Sequence, residues 1–149
     1  MENNMSIVFD AKSQNEGLAR MVVAAFLTEL DPTVEEMNDI KTAVSEAVTN
    51  SIIHGYGEQQ GQVFMKCNLK KENDDSLLKI EIKDQGVGID DIEKAKEPLY
   101  TTKPELERSG MGFMFMEMFM DNIHIESEKN VGTTVFMTKK IRDNKNRLR

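Results

Sequence analysis

The chain has 149 residues, one cysteine and a formal net charge of −7, from 19 Lys and Arg against 26 Asp and Glu. This length fits one domain with one core. The acidic balance argues against a general nucleic-acid binder or a protein that docks on an anionic membrane, because both need clustered Lys and Arg. One cysteine excludes a disulfide framework, and Met1 to Asn4 does not open a secretory signal, so we expect a cytoplasmic protein.

The first half of the chain is predicted to be largely helical. After a short strand, Ser13-x-x-Glu16 has the pattern of a capping box and predicts a helix over 13–30. Thr33-x-x-Glu36 predicts a second helix over 33–54 in the same way. The first helix is apolar around much of its circumference, which favours burial on more than one side, by its own core and by a partner.

The hydrophobic period changes from helical to strand-like after these helices. Apolar and polar residues alternate in two segments joined by a polar turn, which predicts an antiparallel hairpin with one buried face. A stretch with several Gly and Pro predicts a mobile loop, and the helix after it is apolar almost all round. The expected elements are a strand at 6–10, helices at 13–30 and 33–54, strands at 61–70 and 78–84, a loop at 98–111, a helix at 113–120, strands at 122–128 and 133–138, and a basic, frayed end from 139 onward.

This order of elements predicts the fold class. Strands outnumber strand–helix–strand crossovers, so we expect an α+β protein. Its architecture is a two-layer α/β sandwich, with the helices on one face of a mixed, mostly antiparallel sheet.

Two motifs place polar side chains where ligands could bind. Glu46-x-x-x-Asn50 puts a carboxylate and an amide one turn apart on one helix face, where they can serve a water and a hard cation such as Mg²⁺. Asp84-x-Gly86-x-Gly88 follows a strand, and its glycines allow a close backbone approach. A solvated helix face and an ordinary turn are the simpler interpretations of each motif alone.

Two further motifs are glycine-rich. Ser109-Gly110-Met111-Gly112 opens the apolar helix, and free N–H groups at a helix N-terminus suit phosphate. Gly132-Thr133 begins the last strand. Taken alone, the first motif is also explained as the start of a helix after an exposed loop, and the second is best explained as a hairpin turn.

Several common catalytic signatures are missing from the sequence. It has no Cys/His zinc spacing, no G-x-x-x-x-G-K-[ST] phosphate loop, and no V-A-I-K, H-R-D and D-F-G set of the ordinary protein kinases. His54 lies one turn beyond Asn50, where it either edges the same site or bonds to the backbone at the helix end.

Taken together and in this order, the four motifs resemble the N, G1, G2 and G3 boxes of the GHKL superfamily of ATPases and kinases, which contains gyrase, histidine kinases and MutL. Residues 44–56 look like the N box of the anti-sigma factor serine kinases of spore-forming bacteria. Residues 101–112 closely resemble the lid of the sporulation members of that family. The resemblance covers nearly the whole chain and implies the Bergerat ATP-binding fold, with one kinase domain at 1–141 and a mobile lid at about 97–111. It is not carried over to residues 142–149, whose basic and polar composition predicts a disordered tail.

The resemblance also implies a function. It points to a cytoplasmic protein-serine/threonine kinase that uses ATP and Mg²⁺, forms a homodimer, and holds a sigma factor of the sporulation type. The same kinase would phosphorylate a small STAS-domain anti-anti-sigma partner and so inactivate it. ADP would remain in the site after transfer.

Roles for individual residues follow from the resemblance. Glu46 would be the base, Arg108 would stabilise the transferred phosphate, and Asn50 would bind Mg²⁺. Asp84 would accept the adenine amino hydrogen, with Thr133 helping through a water. The remaining nucleotide contacts implied are His54, Gly86, Gly88, Thr102, Lys103, Ser109, Gly110, Met111 and Gly112.

One partner contact and two other functions stay open. Arg20, charged within the apolar first helix, is either a partner contact or a surface residue whose stem lies along apolar neighbours. A nucleotide-gated binding module would need the glycine motifs and Asp84 but not Glu46. The catalytic domain of a histidine kinase is disfavoured, because none of the residues before the second helix is a histidine that could accept phosphate.

Overall fold

The structure of the chain, a computed structural model, describes residues 2–57, 59–97 and 112–142. Its helices and strands follow the order expected from the sequence, with one additional short helix, α3. The elements are β1 (Glu2–Asp10), α1 (Asn15–Leu27) with a 3-10 turn (Thr28–Leu30), α2 (Val34–Asn50) with a π-helical segment (Ser51–Tyr56), β2 (Gln62–Glu72), β3 (Asp75–Asp84), α3 (Ile92–Ala95), α4 (Gly112–Phe119), β4 (Asn122–Glu128) and β5 (Gly132–Arg142).

The described strands form one sheet in the order β1-β2-β3-β5-β4. Each of its four neighbouring pairs is antiparallel. The two-layer α+β architecture is therefore confirmed, although the described sheet is antiparallel throughout rather than mixed. The cause is the last hairpin: the chain enters at the outer edge as β4 and folds back, so that β5 runs antiparallel to both β4 and β3.

One face of the sheet packs against the helices. Along β2 and β3 every second side chain is buried, as at Met65 and Ile80, whereas the intervening Lys66 and Lys79 are exposed. The helical layer supplies apolar side chains such as Val44 of α2, which is fully buried. This alternation is the pattern of an antiparallel sheet that has one face in the core and the other in water.

The two expected capping boxes turn out differently. At Thr33, the Glu36 N–H donates to Thr33 Oγ1 at 3.0 Å and the Thr33 N–H donates to Glu36 Oε1 at 2.9 Å, so this capping box is confirmed. The predicted box at Ser13 is wrong: α1 begins at Asn15, and no side chain of the described residues caps it. Gln14 occupies the N-cap position and the Glu16 N–H donates to the Ser13 carbonyl at 3.2 Å, while the Glu16 carboxylate accepts the Ser45 hydroxyl.

Both end strands are longer than expected. β1 begins at Glu2 instead of residue 6, and β5 continues to Arg142 where fraying was expected from residue 139. Hydrogen bonds between strands need no apolar side chains, so polar residues such as Glu2, opposite Lys70, join the ladder. The Lys139 ammonium donates to the Phe119 carbonyl at 2.6 Å, which ties this part of β5 to the end of α4.

Two predicted segments, the lid and the C-terminal tail, fall almost entirely outside the part of the chain that the structure describes. The predicted lid at about 97–111 and the predicted tail at 142–149 lie outside the described residues, apart from Glu97 and Arg142 at their borders. In the part of the chain that the structure describes, no helix is both long enough and apolar enough to span a membrane.

A side chain caps the N-terminus of α2 but not that of α1, and this predicts that mutations at the two positions differ in their effect on stability. Thr33→Ala removes the hydroxyl that accepts the Glu36 N–H, so we expect the free energy of unfolding to fall by about 1 kcal/mol. Ser13→Ala is the matched control, because it removes a hydroxyl from the same sequence pattern without removing a cap, and its effect should stay within about 0.5 kcal/mol. Urea denaturation of both variants measures this, and equal losses would contradict the assignment.

Candidate functional site

The end of α2 changes its winding where the N-box motif lies. After Asn50 the helix continues as the π-helical segment Ser51–Tyr56, in which Ser51 and Gly55 are buried and His54 is half-buried. π-helical turns are rare and often accompany functional sites. The helix that carries Glu46 and Asn50 therefore joins a wider turn that faces the sheet.

Asp84, the last residue of β3, is a buried carboxylate with 2% exposure. Three groups from three parts of the chain donate hydrogen bonds to it: the Gly86 N–H at 2.9 Å, the Ser51 hydroxyl and the Thr133 N–H. A carboxylate offers about four acceptor positions. Asp84 therefore keeps acceptor capacity for one more donor, which is what recognition of an amino group requires.

Burial raises the pKa of the Asp84 carboxyl above its ordinary value of 3.8, and the bonds from Gly86, Ser51 and Thr133 act in the opposite direction. Desolvation disfavours the charged form, whereas donors that point at it favour it. A carboxylate kept at this depth is costly, so its presence demands a reason beyond packing.

The turn after Asp84 packs closely against the π-helical segment. A Cβ on Gly86 would lie 2.0 Å from the Gly55 carbonyl oxygen, so only glycine fits there. The Val87 N–H donates to that same carbonyl at 2.9 Å. Gly88 has φ +80°, a conformation that favours glycine, so both glycines of the motif are required by the chain itself.

The hairpin between β4 and β5 holds the other side of this turn. Ser127 Oγ accepts the Ile89 N–H at 2.7 Å and lies 2.8 Å from Thr133 Oγ1. The Asn130 N–H donates to the Val87 carbonyl at 2.7 Å. The buried Thr133 thus uses its hydroxyl toward Ser127 and its N–H toward Asp84.

The structure brings together only part of the expected site. Contacts unite the π-helical segment after Asn50 with Asp84, Gly86 and Thr133. Gly112 begins α4, which packs against α2. Arg20 lies on α1 instead, with its Nε 3.6 Å from Glu16 Oε1.

The other expected phosphate contacts cannot be located. Thr102, Lys103, Arg108, Ser109, Gly110 and Met111 lie outside the described residues, so their roles stay predictions. Glu46 and Asn50 are both half-buried, one turn apart on α2. Within residues 2–57, 59–97 and 112–142, no three His, Cys, Asp or Glu side chains group closely enough to hold a metal ion.

Sequence reasoning missed three residues of this site: Ser51, Tyr56 and Ser127. The sequence did carry one signal, because Ser51 falls in the apolar stripe of its helix and a buried hydroxyl there needs a partner. Tyr56 and Ser127 bond to backbone groups 29 and 38 residues away, Gln85 and Ile89, and no local pattern shows this.

Comparisons with known proteins agree with this geometry. Residues 9–139 match the family described as histidine kinase-like ATPase domain, a class that implies nucleotide binding. A relative named anti-sigma F factor from Clostridium acetobutylicum is 58% identical over 140 residues, which cover 94% of this chain and 95% of the relative. A protein of the same name from Halalkalibacterium halodurans is 53% identical over 146 residues, 97% of each chain. The chain belongs to the family of anti-sigma F factors.

A solved structure supports the fold. The crystal structure of the RsbU and RsbW domains of Rv1364c from Mycobacterium tuberculosis superposes with a TM-score of 0.66 at 18% identity. The match covers 93% of this chain and 32% of that one. At this identity the likeness concerns the fold alone.

The raised pKa of Asp84 predicts a pH-dependent stability. Its contribution to folding is fully present below about 3.8, the ordinary value in the unfolded chain, and is lost as the pH rises through the raised folded value. As the pH rises from about 3.8 to neutrality, the free energy of unfolding of the native chain should therefore fall relative to that of the Asp84→Asn variant. Urea denaturation at several pH values measures this difference. Asp90→Asn, an exposed carboxylate on the following loop, is the control, and a difference that does not vary with pH would contradict the prediction.

Proposed function

We propose that this chain is an ATP-dependent protein-serine kinase that also acts as an anti-sigma factor. The observation that carries the proposal is the buried Asp84 carboxylate, held by three donors beside a glycine-rich turn and with acceptor capacity to spare. In this proposal the remaining acceptor position takes the exocyclic amino hydrogen of adenine. The ATPase domain family and the anti-sigma F factors at 51–58% identity support it.

Asn50 is suited to a magnesium site shared with the nucleotide. Its amide stands at the end of α2, half-buried, and amide oxygens are hard ligands of the kind that Mg²⁺ accepts. Mg²⁺ usually keeps several waters and takes phosphate oxygens beside a few protein oxygens, so Asn50 would share it with the nucleotide. When bound, Mg²⁺ neutralises charge on the phosphates.

Glu46 is the proposed base for the transfer. In this step the oxygen of a partner serine hydroxyl forms a bond to the γ-phosphorus, the bond from that phosphorus to ADP breaks, and Glu46 accepts the hydroxyl proton. Arg108, with Lys103, would stabilise the γ-phosphate charge, and Gly110 and Gly112 would offer N–H groups. These steps leave phosphoserine on the partner and ADP in the site.

The partners proposed are those that the family name and the sequence resemblance indicate. The relatives are named anti-sigma F factors, which supports capture of a sporulation sigma factor by this chain in the cytoplasm. A STAS-domain anti-anti-sigma protein is the proposed owner of the serine. Arg20 is a candidate contact for such a partner, because its side chain is 45% exposed although it pairs with Glu16.

The exposed side of α1 supports a homodimer. Leu18 is 46% exposed and Met21 is 73% exposed, and with the exposed Ala25 they recur at i, i+3 and i+7. This spacing puts them in one apolar stripe. A second copy that covers the stripe would remove this apolar surface from water.

Replacing the proposed base separates a kinase from a binding module. We expect Glu46→Gln to lower the rate of phosphate transfer to the STAS partner by about a hundredfold or more, while ATP binding persists. Intact-mass spectrometry of the partner measures transfer. Glu35→Gln, an exposed carboxylate in the first turn of the same helix, is the matched control. Sigma and ATP binding by a native chain that transfers no phosphate would instead identify a nucleotide-gated module.

The dimer proposal has its own test. Met21→Glu places a charge in the α1 stripe, so the mass in solution should shift from dimer toward monomer in sedimentation experiments. Val34→Glu is the control, because Val34 is 79% exposed on α2, outside the stripe. A native chain that is monomeric, or a Met21→Glu variant that stays dimeric, would refute this surface.

A further inference from the structure

Tyr56 joins three separate parts of the chain through its hydroxyl group. Tyr56 Oη accepts the Gln85 N–H at 2.8 Å and donates to the Gln62 carbonyl at 2.5 Å. Tyr56 itself ends the π-helical segment that follows α2. One phenol therefore connects the end of that segment, the start of β2 and the turn after β3.

The aromatic ring fixes the position of this hydroxyl. A Cβ on Gly61 would lie 2.3 Å from Tyr56 Cε1, so the ring lies directly against the backbone at Gly61. The neighbouring Gly55 carbonyl also accepts the Val87 N–H. Gly55 and Tyr56 thus accept the N–H groups of Val87 and Gln85, the two residues that flank Gly86.

The bond to Gln85 has a specific consequence for Asp84. The Gln85 N–H belongs to the peptide group that directly follows Asp84, so fixing this peptide limits how the Asp84 backbone can turn. Two of the donors to the Asp84 carboxylate, the Gly86 N–H and the Ser51 hydroxyl, belong to the two segments that Tyr56 connects. The orientation of the free carboxylate position depends on their alignment.

We infer that Tyr56 is a positioning residue that sets base specificity by clamping the Asp84 turn (residues 84–88) against the π-helical segment. This inference rests on the proposed function, in which Asp84 accepts the adenine amino hydrogen. Tyr56 does not itself touch the base and acts through Asp84. If this turn loosens, the hydrogen bond from the adenine amino group to Asp84 weakens more than the contacts with the phosphates do.

The test compares ATP with ITP, whose base carries a carbonyl oxygen where adenine carries the amino group. For Tyr56→Phe we expect the dissociation constant for ATP to rise about fivefold, the size of one hydrogen bond between the adenine amino group and a misaligned Asp84, while that for ITP changes little. Isothermal titration calorimetry with Mg²⁺ gives both constants, and the ATP-to-ITP preference falls by the same factor.

Two variants complete the experiment. Gly61→Ala keeps the phenol but puts a methyl group where the ring lies, so it should lower the ATP-to-ITP preference as well. Thr28→Val removes a hydroxyl that donates to the Ala25 carbonyl at 2.8 Å on α1, and it should leave the preference unchanged. Amide exchange of Gln85, whose N–H loses its acceptor in Tyr56→Phe, should accelerate more than that of Val87, whose acceptor is the Gly55 carbonyl, whereas a general loss of stability would accelerate both alike.

The possible failures are distinguishable. A native chain that prefers ATP, and keeps this preference in Tyr56→Phe, overturns the clamp and leaves the proposed function intact. Equal weakening of ATP and ITP also overturns it, because the hydroxyl would then serve stability alone. A native chain without any preference for ATP refutes the reading of adenine by Asp84, and with it the inference.

Discussion

The buried carboxylate of Asp84 is the constraint on which the rest of this structure depends. Removing a carboxylate from water costs several kcal/mol unless donors replace the lost solvation. Here the donors come from the π-helical segment, the turn after β3 and strand β5. The hydrogen bonds to this one carboxylate therefore fix three segments that are distant in sequence, and they hold the helical layer against the sheet at one point.

The same group explains residue choices that packing alone does not. A Cβ on Gly55 would lie 2.8 Å from the Asp84 carboxyl carbon, and one on Gly132 would lie 2.1 Å from the Asp84 carbonyl oxygen. Gly86 then meets Gly55, backbone against backbone. Gly55 thus lies against the carboxyl group of Asp84, Gly132 against its backbone and Gly86 against Gly55, so their spacing in the sequence reflects the geometry of a single site.

What the sequence predicts well is what periodicity and local chemistry determine. Alternation placed the first hairpin, a capping box placed the start of α2, and four ordered motifs indicated the site and its family. Ser13 and Thr33 show the limit, because their local patterns are alike and only one is a cap. The difference lies in where each helix begins, because Thr33 is the N-cap of α2 whereas Gln14 holds that position in α1. The Glu16 carboxylate accepts instead from Ser45, 29 residues away, which no local window contains.

The site also divides into two parts, and this division bears on its proposed function. The groups that would read the base, Asp84 and its donors, are buried and cross-linked, whereas Glu46 and Asn50 are half-buried on the preceding turns of α2. A change on α2 can therefore remove chemistry without disturbing the buried carboxylate. On the proposed function, nucleotide binding and phosphate transfer would for this reason be separable, as a protein that captures one partner while it modifies another requires. The net charge of −7 would not oppose the proposed nucleotide, since N–H groups and Mg²⁺ would meet its phosphates locally.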